Sequence, residues 1–173
     1  MVREMIQTER LVLRMFRESD TDAYAEMLAD PEVMRFLGGR PLPRAEAWRN
    51  MAMVLGHWHL RGYGFWAVEE KESGELVGRV GCWRPEGWPR LEVGWTLRRR
   101  FWGRGFATEA ARASVAYAFE ALDQTRVISL IAPENVNSIR VAERLGERPE
   151  GDWEVFGKKV IVYAAWREGW SYE

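Results

Sequence analysis

The chain has one cysteine, Cys82, so no internal disulfide can frame it, and so few thiols suit a reducing, cytoplasmic setting. It has no excess of either charge: 25 Lys and Arg face 26 Asp and Glu, for a net charge of −1. A nucleic-acid binder more often carries a basic surplus, so no nucleic-acid partner is implied. No apolar run approaches the roughly 20 residues of a spanning helix, which excludes a membrane-helix protein. Glu4, Glu9 and Arg10 interrupt the apolar residues of the N-terminus, so no secretory signal pattern is present. The only two histidines, His57 and His59, diverge on a predicted helix and make a poor metal pair, so no metal is expected. Repeats and low-complexity linkers are missing too. What remains is 173 residues, 47% apolar and 29% charged, a soluble profile expected to form one domain over 1–173 around a single core. Ten tryptophans are many for this length, and core or rim packing explains most of them.

Leu11, Leu13 and Met15 alternate along 8–16, predicting a half-buried strand. Ser19 is placed to cap a helix running to Asp30, which Pro31 ends. A second helix is predicted over 44–61, with Trp48, Met51, Leu55 and Trp58 on one face. Strands follow at 64–70, 76–83 and 91–97, turned by Ser73-Gly74 and by the segment 85–89. A helix over 106–121 carries a stripe of small residues, Ala107, Ala110, Ala111, Ser114, Val115 and Ala118, that permits close packing on a sheet. A β-branched strand over 126–131, a short helix over 137–145 and one or two last strands complete the order, with a strand expected over 159–166. Short turns make the three middle strands antiparallel, and the crossover through the long helix makes the next pairing parallel. The fold class is therefore mixed α/β.

Between the strand 91–97 and the helix from Phe106 lies Arg100-Phe101-Trp102-Gly103-Arg104-Gly105. Glycines at such a junction let the backbone turn sharply, and the first amides of a helix, left unpaired, can receive an anion. The segment reads as a diphosphate cradle. It is not a P-loop, because no Gly-Lys-Ser/Thr string exists. A dinucleotide fingerprint begins with Gly103 and Gly105, and Asp123 stands 20 residues past Gly103, near where a ribose-binding acid belongs. Against it, Thr108 takes the third small position and the preceding strand belongs to a meander.

The chain resembles the GNAT superfamily of N-acetyltransferases, in particular the branch of ribosomal-protein N-terminal acetyltransferases. The family's Arg/Gln-x-x-Gly-x-Gly/Ala signature matches Arg100, Gly103 and Gly105, continued by Ala107-Thr108-Glu109-Ala110. Thr8 to Arg14 resembles the first strand of that branch, and Asn135 to Gly146 its second cofactor-contacting segment. The resemblance implies a mostly antiparallel sheet with one splayed parallel strand pair and helices on its flanks. It also implies acetyl-CoA as co-substrate and an amine acceptor. The amides of Trp102, Gly103, Arg104, Gly105, Phe106, Ala107 and Thr108 would surround the pyrophosphate, with Arg99, Arg100 and Arg104 adding charge. Amides near Thr96 and Leu97 would bind pantetheine or polarise the thioester. Asn137, with Asn135 as turn-former or second contact, would also touch the cofactor.

Transfer to an amine needs the amine neutral and the developing oxyanion and thiolate stabilised. Glu92 matches a strand carboxylate that some members use as base, and it shares a strand face with Gly94 and Thr96. Its bland alternative is a solvated or arginine-paired glutamate. The tyrosine that many members use as acid is replaced by Ala142, leaving Ser138, which matches a serine of the ribosomal branch, as candidate acid or helix cap. Glu147 stands where the family usually has an aromatic, which reads as a changed packing site. Cys82 reads as a buried hydrophobe. The acceptor cleft is expected among the corner 34–40, the second helix and the region of Trp153, with Trp48, Trp58, Tyr63, Trp88 and Trp153 as lining candidates. The missing tyrosine keeps a catalytically silent acyl-CoA-binding module as the competing reading. The tryptophans and the resemblance also leave a homodimer open.

Overall fold

The computed structural model describes residues 5–172; Glu4, and both ends of the expected 1–173 span, lie outside the described residues. The first expected strand is two: β1 (Ile6–Gln7) and β2 (Leu11–Arg14). They separate because Thr8 folds into a turn, its N–H bonding the Leu11 carbonyl at 3.0 Å and its hydroxyl accepting the Leu11 N–H at 3.1 Å. The alternation holds, with Leu11 and Leu13 fully buried.

Ser19 does not cap the first helix. Glu18–Asp20 forms a single 3-10 turn, and α1 spans Thr21–Ala29. Asp20 takes the Arg17 N–H at 2.8 Å and a two-pronged bond from Arg14, so the polar tie at this corner belongs to the aspartate. Asp30 then caps the short α2 (Pro31–Met34) by accepting the Glu32 N–H at 2.9 Å. Helix α3 (Arg44–Arg61) ends at Gly62, whose φ of 74° suits a left-handed cap. Its buried stripe is Ala47, Met51, Val54, His57 and Trp58, so Met51 and Trp58 face inward as expected while Trp48 is exposed.

Strands β3 (Phe65–Glu70), β4 (Leu76–Trp83) and β5 (Glu92–Leu97) form the antiparallel meander. They are followed by α4 (Phe106–Glu120), β6 (Arg126–Ile131), α5 (Val136–Arg144), β7 (Arg148–Val155) and β8 (Lys158–Trp166). The eight strands make one sheet in the order β1-β2-β3-β4-β5-β6-β8-β7, parallel only between β5 and β6. Strand β7 carries Pro149 and Gly151, which break the local strand pattern. Both sit at a bulge on an edge strand, where a missing N–H is tolerated.

Alternation along β4 assigns the faces. Arg79 reaches Tyr24 of α1 and Asn50 of α3, and Trp83 stacks on His57 of α3. Cys82, of opposite parity, contacts the Ser114 carbonyl of α4. The small residues Ala110, Ala111, Ser114 and Ala118 are buried, letting α4 lie close on the second face.

Candidate active site

The parallel pairing of β5 and β6 is confined to one register, Glu92 opposite Ile128, with the Ile128 N–H on the Leu91 carbonyl at 3.0 Å. Beyond Val93 the strands part. A regular parallel ladder would next place the Leu130 N–H on the Val93 carbonyl. Instead Val93 O accepts the Ser129 hydroxyl at 2.7 Å, and the Leu130 N–H turns to the Glu92 carboxylate. The gap thus opens beside Glu92. Strand parity decides which backbone groups line it. Arg98 N–H bonds Val77 of β4, so even-numbered residues of β5 face β4 while Val93, Trp95 and Leu97 face the gap. The amide of Thr96 therefore points to β4, and the open positions are Trp95 and Leu97. The Leu97 carbonyl is held by the Trp102 indole at 2.9 Å.

On the α4 face, the Trp95 indole crosses the gap to donate to Ser138 Oγ at 3.2 Å. Ser138 does not cap α5; Asn135 does, its Oδ1 accepting the Ser138 N–H at 3.2 Å. Asn137 is exposed. The segment after β5 forms the expected turn. Gly103 and Gly105 have φ of 74° and 81°, and α4 begins at Phe106. Among the described residues, none of the successive amides from Gly103 to Thr108 has a protein acceptor, so they are free for an anion at the positive end of the helix dipole. The arginines are engaged: Arg99 pairs with Asp30 at 3.0 Å, Arg100 with Glu75 and Arg104 with Glu70. All three are largely exposed, and a phosphate would have to replace these carboxylates.

The cradle is braced from the far end of the chain. Glu109, in the first turns of α4, accepts the Thr8 hydroxyl at 2.6 Å and the Arg10 N–H and Nε at 2.8 and 2.7 Å. Arg10 also donates to the Arg104 carbonyl at 2.9 Å and lies over the Phe106 ring. The separated Thr-Glu-Arg and Ala-Thr-Glu segments are thus two halves of one latch. Sequence spacing could not reveal this contact across about a hundred residues.

Glu92 lies on the opposite face, toward α1 and α3, as the alternation predicts. Trp88 donates its indole N–H to Glu92 Oε2 at 2.6 Å. Desolvation pushes the Glu92 carboxyl up to about 7, against the opposing pull of Trp88, the Leu130 amide and the charge of Arg79. A carboxyl poised near neutrality can take a proton and return it to water. Trp88 also touches Phe156, in the two-residue turn joining β7 to β8, where Phe156 and Gly157 both have positive φ. Lys158 Nζ approaches Gly39 at the corner after α2. This turn thus lies against Trp88 and the corner 34–40, two of the places where the acceptor cleft is expected. Trp58 is buried, its indole bonded to the Phe65 carbonyl at 2.8 Å, and so is structural.

Glu147 is more than a packing change. It is fully buried, and its Oε1 lies 2.9 Å from Ser129 Oγ. The Ser129 hydroxyl is shared between the Val93 carbonyl at 2.7 Å and this carboxyl oxygen, so Glu147 receives at most part of one hydrogen bond. A fully buried carboxyl with so little support for a charge favours its neutral form. Burial moves it up to about 8, Ser129 opposes the shift, and the charge of Glu92 adds to it. Its Oε2 is buried without a partner, tolerable for a neutral acid and costly for a carboxylate. His57 and Cys82 serve packing. His57 accepts the Arg84 N–H on Nε2 at 3.2 Å and so donates from Nδ1 to the Tyr63 carbonyl at 2.8 Å, a neutral ring that burial keeps below its usual range. Cys82 is buried, its thiol pushed up by desolvation. No cluster of three or more metal-binding side chains occurs among the described residues.

A sheet split between two parallel strands, with free amides at a glycine turn below it and a carboxylate beside it, defines a CoA-dependent acyltransferase scaffold. The profile of the acetyltransferase (GNAT) domain matches residues 10–148, and the chain belongs to that family. The uncharacterized N-acetyltransferase p20 of Bacillus licheniformis is 32% identical over 92% of this chain and 93% of its own length. The solved acetyltransferase from Agrobacterium tumefaciens is 33% identical, covers 93% of each chain and superposes with a TM-score of 0.83. A ribosomal-protein-S5-alanine acetyltransferase from Vibrio fischeri, at 18% identity over 96% of this chain and 98% of its own, shares the fold with a TM-score of 0.73. The chain is an acetyltransferase, and its family uses acetyl-CoA.

Proposed function

We propose that residues 1–173 form one catalytic domain that transfers the acetyl group of acetyl-CoA to a primary amine by direct attack in a ternary complex. The observation that carries this reading is the position of Glu92, at the last paired register of β5 and β6, where the donor and acceptor faces of the sheet meet. The free amides of Gly103 to Thr108 fit a pyrophosphate, with Trp102 closing the turn and Arg99, Arg100 and Arg104 exchanging carboxylates for phosphate. The backbone at Trp95 and Leu97 fits the pantetheine arm and a polarised thioester carbonyl, with Thr96 shaping the strand. Asn135 and Asn137 border the same arm. Glu92, as carboxylate, removes the ammonium proton; the amine attacks the thioester carbon, the C–S bond breaks as the nitrogen gives up its second proton, and Ser138 relays that proton to the thiolate.

A second reading, a silent acyl-CoA-binding module, is favoured by one fact. Ala142, at the family's tyrosine position, is fully buried and offers no acid. The deciding experiment measures acetyl-CoA binding and the release of free CoA thiol across a panel of peptide N-termini and small amines. Thiol release dependent on an amine supports transfer. Binding without release across the panel supports the silent module.

A further inference from the structure

We propose that Arg79 forms an anion subsite beside Glu92 in the amine cleft, so that the preferred acceptors are small primary amines that also carry a carboxylate. This rests on the acetyl-transfer reading and names the acceptor class. Arg79 pairs across the sheet with Thr96, which places its side chain on the same face as Glu92. Its guanidinium lies 4.9 Å over the Phe65 ring. Nη1 donates to Tyr24 Oη and to Asn50 Oδ1, both at 2.8 Å, and the tyrosine hydroxyl donates on to Asn50 at 2.7 Å. These partners are neutral and fix the plane of the guanidinium. They do not balance its charge.

Among the described residues, thirteen ion pairs form and Arg79 belongs to none. Its Nε is buried without an acceptor, while the residue as a whole keeps partial exposure. An arginine cannot shed its proton to relieve that cost. Gly94 leaves no room for a side chain: a Cβ there would meet the Phe65 ring at 3.1 Å and lie 3.7 Å from Glu92 Oε1, so ring and carboxyl pack directly on this backbone. A simple ammonium entering here would have to share Glu92 with Arg79, whose charge already acts on that carboxyl. An acceptor with its own carboxylate can give that group to Arg79 as a charge-assisted bond and its ammonium to Glu92. Charge then matches at both ends. Arg79 also holds Glu92 toward its ionised form, so neutralising it raises the proton affinity of Glu92 when the ammonium must be deprotonated. A protein N-terminus, whose first carboxyl is an amide, lacks the group this subsite needs.

The test compares free amino acids with their carboxamides in the wild type, Arg79→Met and Arg79→Lys. kcat/KM is read by thiol release, and binding of the matching N-acetyl acids and amides to the enzyme–CoA complex by tryptophan fluorescence. A preference for the carboxylate of about tenfold or more is expected in the wild type, one charge-assisted contact being worth this much. It should vanish in Arg79→Met, persist in part in Arg79→Lys, and leave acetyl-CoA affinity unchanged in both. Equal binding of acids and amides by the wild type, or a preference surviving in Arg79→Met, overturns the subsite while leaving acetyl transfer intact. Failure to bind acetyl-CoA at all overturns the functional reading and this inference with it.

Discussion

Replacing Glu147 with glutamine separates a buried acid from a buried amide of the same shape. The folded carboxyl sits at about 8 against an ordinary 4.5, so the native state holds a proton that the unfolded chain releases. Stability must then fall as pH rises through that window, by about 1.4 kcal/mol per unit, and level off once the folded group has ionised. The whole span is on the order of 4–5 kcal/mol, a large part of the stability of a domain this size. Glutamine keeps an N–H for Ser129 and does not titrate. Urea denaturation at pH 6 and pH 8 should therefore show the variant gaining on the wild type by about 2–3 kcal/mol between the two. At the urea sensitivity of small domains that is a relative midpoint shift of about 1–2 M. Glu92 remains in both proteins. If both midpoints move in parallel from pH 6 to pH 8, Glu147 is not the proton holder and burial does not raise its carboxyl as argued.

Three further outcomes are expected. Wild-type kcat/KM should climb with pH to a plateau above about 7, since Glu92 works as a base only when deprotonated, and Glu92→Gln should lose that limb and about 10²-fold or more in rate while retaining acetyl-CoA affinity; an unchanged pH–rate profile would remove Glu92 from the role. Gly105→Val places a β-branched residue at φ 81° against Arg10 Nη2 and should weaken acetyl-CoA binding about tenfold by calorimetry, through strain of about 1–3 kcal/mol in the cradle. Arg14→Met strands Asp20, which is 5% exposed and bonded to both terminal nitrogens of Arg14 at 2.8 Å, and should cost about 3–5 kcal/mol in chemical denaturation.

Where each element lies was largely written in local chemistry. The small stripe of α4 could pack only on a sheet, the alternation of β5 put Glu92 and Gly94 on one face, and the positive-φ glycines marked the cradle. The misses share a physical cause. Strand β7 carries a proline and a glycine that only an edge position excuses, and edge position is a property of the whole sheet. Ser19 looked like a cap because its type favours that role, yet Asp20 was tied to Arg14 by a fold that brought β2 alongside. Thr96 and Leu97 were read together as open amides, while the direction of a strand's hydrogen bonds depends on which neighbour it pairs with.

The approach of Phe156 to Trp88 and of Lys158 to Gly39 was least legible, since both form only when the β7–β8 turn folds over the meander. Glu147 carried a signal in the sequence, a charged residue at an aromatic position. Its raised carboxyl follows from full burial, which only the folded chain creates. By itself the sequence determined the order of strands and helices, the glycine turn and the family, because these depend on local periodicity, backbone permissiveness and short motifs. Tertiary structure alone decided that β5 and β6 part after Val93, that burial raises the Glu147 carboxyl, and that Arg79 shares a sheet face with Glu92 while joining no ion pair among the described residues. Each of those depends on distances between residues far apart in the chain and on the burial they create together.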